Sequence, residues 1–232
     1  MTKIVRRSLA VCLFCFLLIL SACSPDEAET VNGDSAPTPY VPVDGQAPER
    51  GVSVPRGVID GSSYTSGFVG VSFTLPDEGW AFATPETLAN MMLVDPALLE
   101  SAEFDFDEAG TVILHDMVAN HLEGESNVAV MVEDLYFSEG GADITAEQFL
   151  VRISEQLTGA GMDMFEFTFG EIEEVEIGGH GFALISADVV MEALGINSQQ
   201  HYIARRNGDF MIVIVVSLSD DVSFEEIFTA FS

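Results

Sequence analysis

The stretch His201-Tyr202-Ile203-Ala204-Arg205-Arg206-Asn207-Gly208-Asp209-Phe210-Met211-Ile212-Val213-Ile214-Val215-Val216 decides the fold. Phe210 to Val216 is apolar at every position, so neither face of an alternating strand can be left to water. It must be a central strand covered on both sides. Asn207-Gly208 suits the positive φ angles of a type I′ turn, which makes His201–Arg205 and Phe210–Val216 the two arms of a β-hairpin.

Upstream, Phe182 to Met191 is apolar and Phe165 to Ile177 alternates; the two read as strands separated by Gly178-Gly179-His180-Gly181. Thr145-Ala146-Glu147-Gln148 is a capping box. Phe149, Leu150, Ile153 and Leu157 then recur at helical spacing until Gly159 and Gly161 end the run. Thr111–Val118 and Asn127–Leu135 flank the polar turn Glu123-Gly124-Glu125-Ser126 as a second hairpin. Thr84-Pro85-Glu86 supplies an N-cap, a first-turn proline and an acid for a helix over Pro85–Leu93, and Asp95-Pro96 repeats the signal for a short one. Phe68–Leu75 reads as a strand stopped by Pro76-Asp77-Glu78-Gly79, and Ser223-Phe224-Glu225-Glu226 as a capping box opening a terminal helix. Hairpins and helical crossings between apolar strands predict an α+β fold: a mostly antiparallel sheet flanked by helices, an αβα sandwich, as one domain over residues 64–232.

Gly70-Val71-Ser72-Phe73-Thr74-Leu75-Pro76-Asp77-Glu78-Gly79-Trp80 resembles the opening strand and turn of the PsbP-like family, which includes bacterial lipoproteins. Gln200-His201-Tyr202 through Arg206-Asn207-Gly208-Asp209-Phe210, and the closing Phe224-Glu225-Glu226-Ile227-Phe228-Thr229-Ala230-Phe231, resemble its final hairpin and helix. The resemblance implies an αβα sandwich and a non-catalytic binding or accessory role. It carries over no functional residue, and fold alone does not fix function.

The other end of the chain speaks of location. Lys3, Arg6 and Arg7 precede the apolar run Leu9–Leu20, which is shorter than the roughly 20 residues that span a bilayer. Residues 1–22 therefore read as a signal peptide. Leu20-Ser21-Ala22-Cys23 resembles the bacterial lipobox, which implies cleavage between Ala22 and Cys23 and diacylation of Cys23, an extracytoplasmic protein anchored to the cell membrane by lipid. Cys12 and Cys15 leave with the signal, and disulfides and thiolate chemistry leave with them. Residues 23–63 hold six of the nine prolines among Gly, Ser, Asp and Glu, and read as a disordered tether.

Residues 1–22 also take three of the eight Lys+Arg and none of the 38 Asp+Glu. Five basic side chains remain against 38 acidic ones, a net charge of −33 with no lysine. Nucleic-acid binding is excluded, since it depends on cationic side chains neutralising phosphate, and so is lysine catalysis. Membrane attachment then rests on the acyl chains, with an envelope protein as the expected partner.

Catalytic patterns are missing: no Gly-x-Ser-x-Gly, no P-loop and no His-Glu-x-x-His around His115, His121, His180 or His201. The chain is read as a non-enzyme without cofactor, and a hydrolase site would have to be assembled in three dimensions alone. Glu103-Phe104-Asp105-Phe106-Asp107-Glu108-Ala109-Gly110 is oxygen-rich but misses the EF-hand pattern. Asp105, Asp107 and Glu108, with the acids at Glu171, Glu173, Glu174 and Glu176, are weak candidates for a divalent cation, which a ligand-binding module serving an envelope transporter would use. Trp80 and Tyr202 are candidate binding aromatics, with core positions as the alternative.

Overall fold

The structure is a computed structural model that describes residues 51–124, 126–137, 141–159, 165–191, 196–219 and 222–232. The expected signal peptide, its expected cleavage site at Ala22 and Cys23, and the expected tether as far as residue 50 lie outside the described residues.

In chain order the elements are β1 (Ser53–Pro55), β2 (Val58–Asp60), β3 (Ser63–Ser66), β4 (Val71–Thr74), β5 (Trp80–Phe82), α1 (Pro85–Met92), a 3-10 turn (Pro96–Leu99), β6 (Glu103–Asp105), α2 (Phe106–Ala109), β7 (Ile113–His121), β8 (Asn127–Asp134), α3 (Ala146–Gly159), β9 (Glu166–Phe169), β10 (Glu173–Ile177), β11 (His180–Met191), β12 (Ile196–Asn207), β13 (Phe210–Leu218) and α4 (Phe224–Thr229). Eight strands form the main sheet in the order β10-β11-β12-β13-β8-β7-β5, with β9 sharing the outer edge of β11 with β10. Every pairing is antiparallel.

β13 sits in the middle of this sheet and is covered twice, as its sequence requires. Ile212, Ile214, Val216 and Leu218 enter one core with Leu88, Phe104, Phe182 and Ile227. Met211, Val213 and Val215 enter another with Phe149, Leu150, Ile153 and Leu157 of α3. The fold is α+β with a mostly antiparallel sheet between two covering layers. One layer is α3. The other is mixed: α1 and α4 share it with the small sheet β2-β3-β4 and the pair β1-β6.

The helices begin where their caps are. Thr84 Oγ1 accepts from Thr87 N at 3.2 Å with Pro85 opening α1. Thr145 and Gln148 exchange hydrogen bonds of 3.0 and 3.2 Å before α3, and Ser223 Oγ accepts from Glu226 N at 3.3 Å before α4.

Four expectations are corrected. The ordered body begins before residue 64: Ser53–Pro55 pairs with Glu103–Asp105 and Val54 is buried, so residues 51–63 belong to the domain. The strand expected over Phe68–Leu75 spans Val71–Thr74, and Phe68 to Gly70 form the β3–β4 turn, with Gly70 N donating to Ser66 O at 2.8 Å. Phe165–Ile177 is split at Gly170 into β9 and β10, each paired with β11. The β12–β13 loop is Gly208-Asp209, closed by Asn207 opposite Phe210; Gly208 has φ +63° and Asp209 is not at positive φ, so the turn has the pattern of type II′ rather than I′. The positive pair of a type I′ turn occurs instead at Gly178 (φ +59°) and Gly179 (φ +77°), between β10 and β11.

Candidate functional site

β7 and β8 run in register up to His115 opposite Met131 and resume at Met117 opposite Val130, so Asp116 is the extra residue of a β-bulge. A bulge turns one side chain away from the regular alternation. Here it aims a carboxylate that is 1% exposed at the segment Gly51–Gly57, the arm by which the chain enters the domain.

The arm meets Asp116 with several donors. Gly57 N donates to both carboxylate oxygens, at 2.8 and 3.1 Å. Tyr64 OH, on β3, donates to Oδ2 at 2.7 Å. Arg56 Nε lies 3.4 Å from Oδ1, with the guanidinium only 11% exposed and a second contact to the Leu99 carbonyl. A Cβ at position 57 would stand 2.1 Å from the Tyr64 ring, so only glycine lets the main chain approach this closely. The rest of the arm is held by the β1–β6 ladder, by Arg56 N to Ala102 O at 2.9 Å, and by Gly51 N to Asp107 Oδ2 at 2.5 Å.

Burial pushes the Asp116 carboxyl up, against the pull of Tyr64, Gly57 and Arg56. Burial, and then the neighbouring Asp116, push the Tyr64 phenol far above its ordinary value. Next to the bulge His115 is buried, which lowers its pKa to about 3, so its ring is neutral at pH 7. A carboxylate walled off from solvent and met by donors from its own chain has no route to abstract a proton from a substrate. Its chemistry is grip: it fastens the arm to the central sheet.

A second polar pair lies on the same face of the sheet. Ser186 Oγ and His201 Nδ1 are 2.8 Å apart, and the imidazole stacks on Phe224 of α4 at 3.9 Å. Burial lowers the His201 pKa to about 4, with Asp188 acting in the opposite direction. This resembles the beginning of a nucleophile–base pair, but a face of the base is covered by the phenyl ring, and the pair fastens α4 to β11 and β12.

The residues singled out in the sequence fall elsewhere. Trp80 is 5% exposed and meets His121 edge-on at 5.5 Å, and Tyr202 is 3% exposed with its hydroxyl donating to Gln200 Oε1; both are core residues, not presented aromatics. Asp105 Oδ1 caps α2 by accepting from Asp107 N and Glu108 N, each at 2.9 Å, while Asp107 holds Gly51. Glu171 is exposed just before β10, and Glu173, Glu174 and Glu176 are exposed on it. Among the described residues no three His, Cys, Asp or Glu side chains come together as a metal site. Arg56, Gly57 and Tyr64 were not legible as a cluster. One signal was available: Arg56 is one of the five arginines that follow Cys23, in a stretch otherwise reading as linker.

No protein-family model matches the chain, and no curated protein matches it. Among solved structures it is similar to the cyanobacterial PsbP of Synechocystis over 73% of this chain and 90% of that one, at 15% identity and a TM-score of 0.45. It is also similar to a Pseudomonas aeruginosa protein of unknown function over 41% of this chain and 60% of that one, at 13% identity and a TM-score of 0.27.

Proposed function

We infer that the protein is a lipoprotein of the bacterial cell surface, in which Cys23 carries the lipid and the α+β domain is a non-catalytic binding or accessory module. The observation that carries this reading is Leu20-Ser21-Ala22-Cys23 directly behind a basic start and a short apolar run. The arm supports it. A domain tethered from its N-terminal side receives every pull through residues 51–57, and here these are laced to β6 and locked on a buried carboxylate. Two or three acyl chains, at about 0.8 kcal/mol per buried methylene, would hold a chain whose net charge of −33 over residues 23–232 is repelled by anionic head groups.

The test is metabolic labelling with radioactive palmitate, with membrane fractionation of the wild type and Cys23→Ser. Label on the wild type alone, with Cys23→Ser released from the membrane fraction, is the expected result. An unlabelled wild type, or a Cys23→Ser protein that stays membrane-bound, would overturn the anchor.

A further inference from the structure

Leu93 stands out from the rest of the chain in two independent ways. It is the sole non-glycine residue at positive φ among the described residues, at φ 58° and ψ 37°. It is also 88% exposed, more than any other large apolar side chain described.

Leu93 closes α1 in the left-handed position of a Schellman motif: Val94 N donates to Ala89 O at 3.0 Å, five residues back. Glycine fits there without strain, whereas a Cβ-bearing L-residue in this conformation is disfavoured roughly tenfold. A strained residue persists where the surrounding structure over-determines it, and such residues cluster at functional sites. Leu93 buries almost nothing, so the helix-closing hydrogen bonds account for its conformation but nothing in the fold accounts for a leucine there in place of glycine.

The surroundings extend the observation. From Met91 to Leu98 the sequence is Met-Met-Leu-Val-Asp-Pro-Ala-Leu, with Asp95 the single polar residue. Leu93, Pro96 and Ala97 are exposed, and Met91, Val94 and Leu98 are half-buried beside them. Of the charged groups on this stretch and its flanks, Glu86, Asp95 and Glu100 are exposed and all are acidic. The nearby Arg56 is turned inward onto Leu99 O and Asp116.

We propose that the α1 C-terminus and the following 3-10 turn form a docking tip, with Leu93 as its anchor, for an envelope protein that offers an apolar socket rimmed by lysine or arginine. An exposed apolar side chain centred among acids fits such a socket, and the negative rim favours approach of a basic partner while repelling a second copy of this acidic chain. The proposal rests on the reading of the domain as an accessory binding module and names the surface that module uses.

The test places a photo-crosslinking amino acid at Asn90, one turn before Leu93, and separately at Glu155, which is exposed on α3 across the main sheet. Both are expressed in the native cell in the full-length protein, with and without Leu93→Gly. The expected result is one adduct from position 90, reduced at least tenfold by Leu93→Gly and by 0.5 M salt applied to permeabilised cells, and none from position 155. Leu93→Gly should at the same time raise Tm by about 2–4 °C, because the left-handed strain is gone. Lost binding with gained stability is a combination that a structural role for Leu93 cannot produce. An adduct at position 90 indifferent to Leu93→Gly, or Tm lowered by it, overturns the proposal. An adduct from position 155 alone overturns the tip but leaves the accessory reading standing; adducts from neither position count against both.

Discussion

Tyr64→Phe removes one oxygen and leaves a fully buried ring in place, which isolates the hydrogen bond to Asp116. A hydrogen bond to a charged, buried acceptor contributes about 1.5–3 kcal/mol, so Tyr64→Phe is expected to cost about 2 kcal/mol. Asp116→Asn keeps the shape but removes the charge facing Arg56, whose side chain is 11% exposed. Breaking one side of a buried pair costs about 3–5 kcal/mol, and the contacts of Arg56 with the Leu99 and Asp116 carbonyls put the expectation at the lower end. The two substitutions share one interaction, so the double variant should be less destabilised than their sum by about 1 kcal/mol. Urea unfolding followed by the fluorescence of Trp80, the single tryptophan and a buried one, measures all three differences. A loss below about 0.5 kcal/mol for Tyr64→Phe, or additivity within about 0.3 kcal/mol, would refute the clamp as a coupled unit.

Further outcomes follow from other parts of the fold. His115 is protonated below pH 6.5 when unfolded and only near pH 3 when folded, so the stability it supports is complete above pH 6.5 and falls as the pH drops toward 3. The stability difference between wild type and His115→Gln should therefore shift by up to about 1.4 kcal/mol per pH unit between pH 6 and 4, and a flat difference would show that the ring is not buried neutral. Gly179→Ala should cost about 1 kcal/mol, from backbone conformation alone, because its Cβ points into open space. Gly178→Ala should cost more than about 2 kcal/mol, since its Cβ would stand 2.6 Å from the Gly70 carbonyl; equal losses in thermal unfolding would place the β3–β4 turn elsewhere.

Much of the architecture was readable because it rests on local signals. The both-sided apolar run of β13, the capping box of α3 and the proline opening α1 each encode their element within a few residues. The arm was not readable, because Pro55, Gly51 and Gly57 resemble linker residues and become strand and clamp only when β6 and Asp116 supply partners some 50 to 60 residues away. Tertiary pairing overrides composition there. Asp116 was hidden for the same reason: a bulge exists only relative to the opposite strand, and the sequence of β7 alone does not show it. The Asn207-Gly208 turn was found but displaced by one residue, since Asn207 is held in the strand by its amide, which donates to Phe68 O at 3.0 Å.

The seam between β4 and the last residues of the chain bears on how the domain can assemble. Ser72 exchanges hydrogen bonds of 2.7 and 3.0 Å with Ser232, and Thr74 N donates to Ala230 O at 3.0 Å. These partners lie about as far apart in sequence as the domain allows, and such distant contacts pay the largest loop-closure entropy and form late. The hairpins β7–β8, β10–β11 and β12–β13 can form between neighbouring stretches of chain, but β4 keeps its outer edge open until residues 230–232 have docked on it. Closure of the small sheet is thereby a late step of folding, ordered after the hairpins of the main sheet.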